Sequence, residues 1–416
     1  MMEVEVPYGD GTLSARFPDY VSTSIIEPNE VPQKDEIGLL KEAISNPVSC
    51  EPLSEFLGHP DKVLVVVNDA TRQTPTSKAL EGMDEALRDK KLEFLIATGS
   101  HRAPTESEIR SIFGTFYSRY RDCIQYHDSR ESETIELGVT SRGTPVKINR
   151  MLFDFERVVL INSVEPHYFA GFTGGRKSIL PGIASFETIE ANHKFALEPR
   201  ARTLSLEGNP VHEDMVEALG FLDSAKLFST NLVLDGHRRI SSVGAGDIDE
   251  SFLEAVRYSR DIHSVQVERP ADIVITVASP PSDLNLYQSQ KALDNAKLVT
   301  KEGGTIVFIT ECREGIGKRE FFDLIAAEKD PASVLGKIKS GYRLGWHKAA
   351  KMAEMLTQFE ILAVSDLPPA DIENLFMVPF SGLQSAVDHS LESLDEDVHA
   401  LVMPMGELTV PRVQEG

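Results

Sequence analysis

Short apolar runs alternate with longer mixed segments along this chain. Residues 62–67, 92–97 and 158–161 are continuous runs rich in apolar and β-branched side chains, which is typical of parallel strands covered on both faces. The segments at 76–90 and 247–259 that follow such runs predict helices. This rhythm predicts an α/β fold in which a mainly parallel sheet is flanked by helices.

The same rhythm starts again after residue 270. Residues 272–277 and 304–309 predict further strands, with a helix between them. Because 416 residues exceed the size at which a single hydrophobic core keeps growing, two domains are expected. We therefore predict an N-terminal domain over 1–269, which holds most of the candidate side chains described below, and a C-terminal α/β domain over 270–416. The active site is expected in the cleft between them.

Charge and cysteine content narrow the class of protein. The 42 Lys+Arg against 65 Asp+Glu give a net charge of -23, which opposes nucleic acids and anionic membranes as partners. A small anionic substrate is still compatible where basic side chains cluster. Cys50, Cys123 and Cys312 have no paired spacing, so neither a disulfide framework nor a cysteine zinc site is indicated. Without a signal peptide or a long apolar run, we predict a location in the reducing cytoplasm.

Candidate catalytic side chains come directly after three of the predicted strands. Asp69 and Arg72 follow the first strand, His101 follows the second, and His167 follows the third. Carboxyl ends of parallel strands meet at one edge of a sheet, where open α/β folds bind ligands. Arg72 could hold a carboxylate or phosphate through two parallel hydrogen bonds. A capping turn with a solvated arginine is the alternative for that position.

The segment 165–195 is the richest in candidate chemistry. Gly174, Gly175 and further glycines interrupt regular structure and allow the backbone to approach a ligand closely. Lys177 lies among these glycines, and His193 follows after a short predicted helix. The combination of imidazoles and an amine in one glycine-rich connection favours a functional site.

Two other interpretations of this segment were weighed. Lys177 lies in a half-match to a phosphate loop, but Arg176 stands where that loop requires glycine, which argues against a nucleotide hydrolase. Glu190 and His193 share a helical face at a spacing found in carboxylate metal sites. One such pair is common by chance.

A second group of polar residues lies beyond residue 270. Tyr287, Gln288 and Lys291 begin a predicted helix, and the last two share one face that could point into the cleft or into solvent. Trp346 begins a later helix beside His347, and its default role is core packing.

Five short blocks resemble the signature blocks of the nickel-dependent lactate racemase family. They are residues 69–75 (DATRQTP), 97–102 (ATGSHR), 165–177 (EPHYFAGFTGGRK), 192–193 (NH) and 287–291 (YQSQK). The blocks occur in order over nearly the whole chain, and the histidine, glycine and lysine block is the most specific. The resemblance implies an isomerase that interconverts the enantiomers of a 2-hydroxy acid such as lactate.

The resemblance also implies a cofactor and its chemistry. The family uses nickel held by a pincer nucleotide, pyridinium-3,5-bisthiocarboxylic acid mononucleotide, which would be covalently linked to Lys177, with His193 as the metal ligand. Hydride would pass from substrate to this cofactor, because removing hydride from a 2-hydroxy acid leaves a neutral ketone rather than a carbanion. His101 and His167 would alternate as general bases, a task that suits imidazole with its pKa near 6.5.

The other roles follow the same resemblance, residue by residue. Substrate contacts are implied for Arg72, Tyr287, Lys291 and Trp346, and cofactor contacts for Asp69, Gln288, Gly174 and Gly175. Separate accessory proteins would make and load the cofactor. The chain departs from the family pattern at 279–283, which lacks the glycine-rich form, and around Trp346, where His347 and Lys348 are alternatives. These departures leave the identity of the 2-hydroxy acid open.

Two functions from other classes remain as alternatives. A non-catalytic protein that binds a metal or an anionic metabolite would need Lys177 and His193 but not both bases. A metal-dependent hydrolase would need carboxylate ligands near the histidines, and beyond Glu190 the sequence offers none at a convincing spacing.

Overall fold

The computed structural model describes residues 2–58, 62–392, 394 and 397–414. The chain divides into two compact units. One unit is formed by Glu30–Asp261, and the other by Met1–Asn29 together with Ile262–Gly416. Within the described residues, no helix combines the length and the apolar character needed to cross a membrane.

The elements of the described residues are as follows. The strands are β1 (Met2–Tyr8), β2 (Gly11–Phe17), β3 (Val21–Ile25), β4 (Lys62–Asn68), β5 (Lys91–Ala97), β6 (Ile124–Tyr126), β7 (Thr134–Val139), β8 (Pro145–Asn149), β9 (Val158–Ser163), β10 (Pro166–His167), β11 (Gly171–Phe172), β12 (Leu227–Leu234), β13 (Ile240–Gly246), β14 (Ser264–Val267), β15 (Ala271–Val277), β16 (Thr300–Ile309), β17 (Glu360–Val364), β18 (Val378–Phe380), β19 (Val398–Met403) and β20 (Val410–Val413). The α-helices are α1 (Glu36–Ser45), α2 (Leu53–Leu57), α3 (Thr76–Leu87), α4 (Glu106–Phe113), α5 (Tyr117–Tyr120), α6 (Phe186–His193), α7 (Pro210–Leu219), α8 (Glu250–His263), α9 (Leu286–Ala296), α10 (Arg319–Ala326), α11 (Pro331–Lys339), α12 (Trp346–Leu356), α13 (Pro369–Glu373) and α14 (Leu383–Leu391).

The unit of residues 30–261 is built on a six-stranded sheet in the order β13-β12-β9-β4-β5-β6. All neighbours pair in parallel except β12 with β13, which form an antiparallel pair. Strand β9 is buried along its whole length, and β4 is buried except at its two ends. Continuous apolar strands of this kind require cover on both faces, so the predicted mainly parallel sheet with flanking helices is confirmed.

Local signals in the sequence account for the helix starts. At α4, the Thr105 side chain accepts a hydrogen bond from the Glu108 backbone N–H, and the Glu108 carboxylate accepts one from the Thr105 N–H. This reciprocal pair satisfies two donors that a helix start otherwise leaves unpaired.

The second unit is built on a fully parallel six-stranded sheet in the order β18-β17-β16-β15-β19-β3. Its edge strand β3 comes from the N-terminal segment and pairs with β19. The hairpin β1–β2 contributes Val4, Val6 and Phe17 to the core of the same unit.

The compact units therefore differ from the expected division at residues 269 and 270. The first 29 residues belong to the same unit as the C-terminal part of the chain, because β3 pairs with β19 and the side chains of β1 and β2 pack into the core of that unit. The change of unit after the first α/β region falls at Asp261 rather than at 269.

Candidate active site

Three neighbouring parallel strands, β5, β4 and β9, end at the candidate catalytic segments. Asp69 and Arg72 follow β4, His101 follows β5, and His167 follows β9. The Asp69 carboxylate contacts the ring of His101, and the Arg72 guanidinium contacts Glu165. The order of the strands explains these contacts, because side chains that follow neighbouring parallel strands emerge at the same edge.

Asp69 holds His101 through a short hydrogen bond. Oδ2 of Asp69 lies 2.6 Å from Nδ1 of His101, and Oδ1 of Asp69 accepts a hydrogen bond from the Thr71 hydroxyl at 2.7 Å. Burial raises the pKa of the Asp69 carboxyl, but the charge and hydrogen bonds of His101 and Thr71 outweigh it and lower the pKa overall. The ionised carboxylate accepts a hydrogen bond from Nδ1–H, which leaves the lone pair of the neutral ring on Nε2.

Arg72 lies in the turn after β4, where the side chain is partly buried. Its Nη1 lies 3.4 Å from Oε1 of Glu165. The turn itself is fixed by Thr74, whose hydroxyl accepts a hydrogen bond from the Asn68 side-chain NH₂ at 2.7 Å and lies 2.8 Å from the Ser163 hydroxyl. Arg72 is therefore not a solvated capping residue, and its long contact with a carboxylate is one that another carboxylate could replace.

His167 and Lys177 are direct neighbours. Nζ of Lys177 lies 3.3 Å from Nε2 of His167, and the backbone N–H of Ala170 points at Nδ1 of the same ring at 3.3 Å. His167 closes the small β10–β11 hairpin, whose return strand begins at Gly171 with φ +77°. A Cβ at Gly171 would lie 2.1 Å from the carbonyl oxygen of Ser205, so glycine is required there.

The aromatic ring of Phe169 joins three of the candidate side chains. Its centroid lies 4.6 Å from the ring of His167 and 5.0 Å from the ring of His193, both in edge-to-face geometry. Nζ of Lys177 lies 5.4 Å from the same centroid. The two histidines and the lysine of the 165–195 segment thus converge on one buried ring, for which the sequence pattern carries no signal.

Gly174 and Gly175 place the Lys177 loop directly on the sheet. Gly174 has φ +87°, and a Cβ there would lie 2.4 Å from Cγ2 of Val164. The N–H of Gly175 donates to the side-chain oxygen of Asn231 at 2.9 Å. The described contacts of both glycines are packing contacts within this unit, so their role toward a cofactor stays a prediction.

Arg176 is fully buried and does not offer its charge to a ligand. Its Nη2 donates to the carbonyl oxygens of Ala170 at 2.9 Å and Phe172 at 3.2 Å, and its guanidinium lies 4.3 Å from the ring centroid of Phe252. Burial lowers the pKa of Arg176 to about 9. The basic cluster expected beside the glycines is therefore reduced to Lys177, and Arg176 instead ties the His167 hairpin to the Lys177 loop.

His193 is the last residue of α6, a helix that Ser185 caps by accepting a hydrogen bond from the Thr188 N–H. Its Nδ1 lies 3.1 Å from the side-chain oxygen of Asn192. A neutral ring that donates from Nδ1 keeps a lone pair on Nε2, which is the form that binds metals. In the described part of the chain no group of three or more His, Cys, Asp or Glu could hold a metal ion.

The predicted residues beyond 270 gather around Tyr287 in the second unit. Asn285 caps α9 by accepting from the Gln288 N–H at 3.1 Å, which places Tyr287 and Gln288 in the first turn. Nζ of Lys348 lies 4.0 Å from the Tyr287 ring centroid and donates to its carbonyl oxygen, and Nζ of Lys318 lies 5.3 Å from the same centroid. Burial raises the pKa of the Tyr287 phenol above its ordinary value, and Glu320 adds to this.

Trp346 begins α12 as predicted, and its ring lies 5.7 Å from the guanidinium of Arg343. His347 is buried and pairs with the Tyr342 hydroxyl at 2.8 Å. Lys318 was not singled out in the sequence, because an isolated lysine before a helix carries no recognisable signal. The roles of Tyr287, Gln288, Lys291 and Trp346 remain predictions.

Comparison with known proteins identifies the family. The lactate racemase N-terminal domain matches residues 8–204, and the lactate racemase C-terminal domain matches residues 266–410. The chain belongs to the lactate racemase family. A lactate racemase of Thermoanaerobacterium thermosaccharolyticum is 33% identical over 429 residues, covering 99% of this chain and 100% of that relative. The lactate racemase of Lactiplantibacillus plantarum is 29% identical over 425 residues, covering 98% and 99%.

Solved structures agree with this membership. The lactate racemase apoprotein from Thermoanaerobacterium thermosaccharolyticum superimposes with a TM-score of 0.90 at 31% identity, covering 99% of this chain and 100% of that one. A crystal structure of a protein from Thermotoga maritima has a TM-score of 0.72 at 20% identity, covering 91% and 98%, and shows likeness of fold alone. The predicted two-domain α/β fold and the predicted isomerase class are thereby confirmed for this lactate racemase family member.

The donor set of the first unit fits the cofactor that the family implies. One imidazole, His193, presents a metal-binding nitrogen, and further ligands would have to come from the cofactor, because no protein cluster of three ligands lies in the described residues. Lys177 presents an amine beside that imidazole, across the ring of Phe169. These two side chains could hold a metal ion and a lysine-bound cofactor, and that assignment stays a prediction.

Proposed function

We propose that this enzyme interconverts the enantiomers of a 2-hydroxy acid such as lactate by hydride transfer, with a nickel-pincer nucleotide attached to Lys177. The observation that supports it most is the grouping of His167, Lys177 and His193 around Phe169. The two relatives named lactate racemase support the choice of substrate class. Sugar acids and longer 2-hydroxy acids share the reacting group and remain within the proposal.

When bound, the cofactor supplies an electrophilic pyridinium and a nickel ion that together accept a hydride. The protein then has to move the hydroxyl proton, and the two enantiomers present that hydroxyl at different places. We assign His101 and His167 as the two general bases. At His101 the Nε2 lone pair takes the proton, and the Asp69 carboxylate, 2.6 Å from Nδ1, stabilises the resulting imidazolium.

The contact between Lys177 and His167 links cofactor attachment to base catalysis. An ammonium at Lys177 would lie 3.3 Å from Nε2 of His167, where its positive charge disfavours the imidazolium that forms when His167 takes a proton. A lysine joined to the cofactor through a thioamide has lost that charge. Attachment at Lys177 thereby releases His167 to act on the substrate.

Arg72 is assigned to the substrate carboxylate. Its 3.4 Å contact with Glu165 is long for an ion pair, so a substrate carboxylate can replace it with two shorter hydrogen bonds. The remaining assignments rest on the family resemblance. Substrate contacts are assigned to Tyr287, Lys291 and Trp346. Cofactor contacts are assigned to Asp69, Gln288, Gly174 and Gly175. In this unit Asp69 contacts His101, and the two glycines set the position of the loop that carries Lys177.

The chain is expected to depend on accessory proteins that make and load the cofactor. Intact mass and nickel content of protein from cells with and without that pathway test the proposal. We expect an added mass and nickel only with the pathway, and neither in Lys177→Ala. Lys147→Ala is the control, because Lys147 lies in the same unit but pairs with Glu187 at the surface.

Turnover is tested on the loaded protein with a panel of 2-hydroxy acids in deuterated water. Hydride transfer predicts racemisation without deuterium at C2, whereas deuterium exchange at C2 as fast as racemisation would indicate a carbanion route. Loaded protein that binds nickel but racemises none of the acids would favour a binding protein instead.

A further inference from the structure

A buried chain of hydrogen bonds leads from Asp214 through Asn192 to His193. Asp214 lies on α7, and Asn192 and His193 are the last two residues of α6. Asp214 and Asn192 are both 0% exposed. Nδ2 of Asn192 donates to Oδ2 of Asp214 at 2.8 Å and to the carbonyl oxygen of Val211 at 3.2 Å. Oδ1 of Asn192 lies 3.1 Å from Nδ1 of His193.

The partners of Asn192 fix the orientation of its amide. A side-chain amide has one accepting and one donating end, and the two ends look alike unless their partners differ. Here one end faces a carboxylate and a backbone carbonyl, which can only accept. The NH₂ group must therefore point at Asp214 and Val211, and the oxygen must point at His193. An oxygen at this position requires His193 to donate from Nδ1.

Asp214 is in turn held as an acceptor by two hydroxyl groups. Thr140 Oγ1 donates to Oδ1 at 2.6 Å, and Thr144 Oγ1 donates to Oδ2 at 2.8 Å. The Thr140 hydroxyl accepts from the Thr144 backbone N–H at 3.1 Å, so its own proton is directed at Asp214. Both threonines lie in the turn between β7 and β8, which packs this carboxylate completely away from water. Three donors converge on Asp214, and the only one that continues toward the candidate metal ligand is Asn192.

We propose that Asp214 and Asn192 are positioning residues that keep the proton of His193 on Nδ1 and so direct the Nε2 lone pair at the nickel. This inference rests on the proposed function, in which His193 is the nickel ligand. Partners of a metal-binding histidine set its tautomer and ring orientation, and losing them weakens metal binding by about 10-fold to 100-fold. In many metal sites a carboxylate accepts a hydrogen bond directly from the ligand histidine. Here the Asn192 amide lies between the two groups: its NH₂ donates to Asp214 and its oxygen accepts from His193, so the histidine still donates from Nδ1.

The tautomer is measured directly on the full chain produced without cofactor. In protein labelled with ¹⁵N-histidine, ring-nitrogen NMR distinguishes protonated from unprotonated nitrogens, and His193→Gln assigns the signal. We expect a proton on Nδ1 of His193 in the unaltered chain at pH above 7. In Asp214→Asn the residue at 214 can present an NH₂ group to Asn192, which leaves the Val211 carbonyl alone to orient the Asn192 amide, so we expect the Nδ1–H signature of His193 to weaken. Asn192→Leu should weaken it as well, and serves if Asp214→Asn does not fold.

Nickel retention supplies the second readout. After loading, Asp214→Asn and Asn192→Leu should retain nickel about 10-fold to 100-fold less tightly in a chelator titration. Glu187→Gln is the control, since Glu187 lies on the same helix with its side chain 61% exposed, and should match the unaltered chain in both readouts. Circular dichroism confirms folding of each variant.

Particular outcomes would overturn the proposal. An unaltered chain with its proton on Nε2 of His193 would do so, as would folded variants that keep the Nδ1–H signature and hold nickel as tightly as Glu187→Gln. If the unaltered chain carries no nickel at all, the proposed function fails, while the NMR result still decides whether Asp214 and Asn192 set the tautomer.

Discussion

Asp69 decides which nitrogen of His101 is free to react. With its carboxylate 2.6 Å from Nδ1, the neutral ring keeps its lone pair on Nε2. Asp69→Asn can present an amide NH₂ to Nδ1, which reverses the tautomer and places the proton on Nε2. We expect kcat for racemisation to fall on the order of 10²-fold in that variant, with a small change in KM, because general-base catalysis contributes about that much. Steady-state kinetics on loaded protein measures both constants.

Thr71→Val is the matched control for this prediction. The Thr71 hydroxyl donates to the other oxygen of Asp69 at 2.7 Å, so its removal leaves the contact between Asp69 and His101 in place. We expect a smaller loss of kcat in Thr71→Val than in Asp69→Asn, since this hydroxyl supports the ionised carboxylate but leaves the tautomer of His101 unchanged. Equal kcat in Asp69→Asn and the unaltered enzyme would show that His101 needs no carboxylate partner.

His212 makes the first unit sensitive to acid. Burial and the nearby charge of Arg176 lower the pKa of His212 to about 3, against an ordinary value of 6.5. Between these two values the unfolded chain binds a proton that the folded chain does not, so the free energy of unfolding falls as the pH drops below 6.5. The loss for one such group is at most about 1.4 kcal/mol per pH unit.

We expect His212→Gln to flatten that decline between neutral pH and pH 4.5. Urea unfolding followed by circular dichroism at several pH values measures the slope. His237→Gln is the control, because His237 is exposed in the turn after β12. A slope in His212→Gln as steep as in the control would mean that His212 is protonated in the folded enzyme.

Position after a predicted strand was enough to select His101 and His167 from the sequence, and the glycines were enough to select Lys177. Position along the sequence does not identify the residues that hold these side chains in place. Asp214 reaches Asn192 across 22 positions of sequence because α6 and α7 pack together. Arg176 reads as a ligand-binding cation in a glycine-rich motif, yet it is fully buried under Phe252. Neither fact is encoded in local spacing.

At the scale of elements, the loop that carries Lys177 depends on its close approach to β9. Gly174 and Gly143 both have φ +87°, but a Cβ at Gly174 would lie 2.4 Å from Val164, whereas nothing lies within 4 Å of one at Gly143. Comparing alanine substitutions at Gly174 and Gly143 therefore separates the cost of backbone strain, which both share, from the cost of steric overlap, which only Gly174 has. Gly143→Ala should cost about 1–2 kcal/mol of stability, the penalty for a left-handed residue.

Gly174→Ala should cost that amount plus about 1–3 kcal/mol for the steric overlap, and should also displace Lys177. We expect it to lose most of the cofactor adduct in intact mass, while Gly143→Ala keeps the adduct. Thermal unfolding gives the stability difference. Equal stability and equal adduct in the two variants would mean that the loop can move away from β9 without consequence.

The elements themselves followed from the sequence where their pattern was strong. The apolar runs of β4, β5 and β9 predicted these strands, because each carries its signal in adjacent residues. Strand β13 was missed. Its residues include two serines and two glycines, and it is held by antiparallel pairing with β12 rather than by an apolar run of its own.

At the scale of the whole molecule, the assignment of the first 29 residues was the main difference from the sequence-based prediction. The residue pattern of this segment does not say which sheet its strands join. Val21 pairs with Val398, and periodicity along the chain holds no information about pairing over such a separation. The expected division at 269 followed from the α/β rhythm that starts again after Pro270.

Two buried phenylalanines test the division in the full chain. Phe17 is 0% exposed and belongs to the core that includes Ile273 and Val307, whereas Phe56 is 3% exposed and belongs to the core of β4 and β5. Truncation of either to alanine should cost about 3–5 kcal/mol. If the units are as described, Phe17→Ala should accelerate amide hydrogen exchange in β15, β16 and β19 and leave β4, β5 and β9 protected.

Phe56→Ala should give the reverse pattern, because its contacts lie in the other core. Hydrogen exchange with mass spectrometry resolves both sets of strands in one experiment, and each variant is the control for the other. A domain of residues 1–269 would instead couple Phe17 to β4 and β5, and faster exchange there in Phe17→Ala would support the predicted boundary at 269. If each variant accelerates exchange only in its own unit, the N-terminal segment stabilises a sheet whose other strands follow more than 240 residues later. That sheet can then be completed only when β3 and the strands from β15 onward are both present.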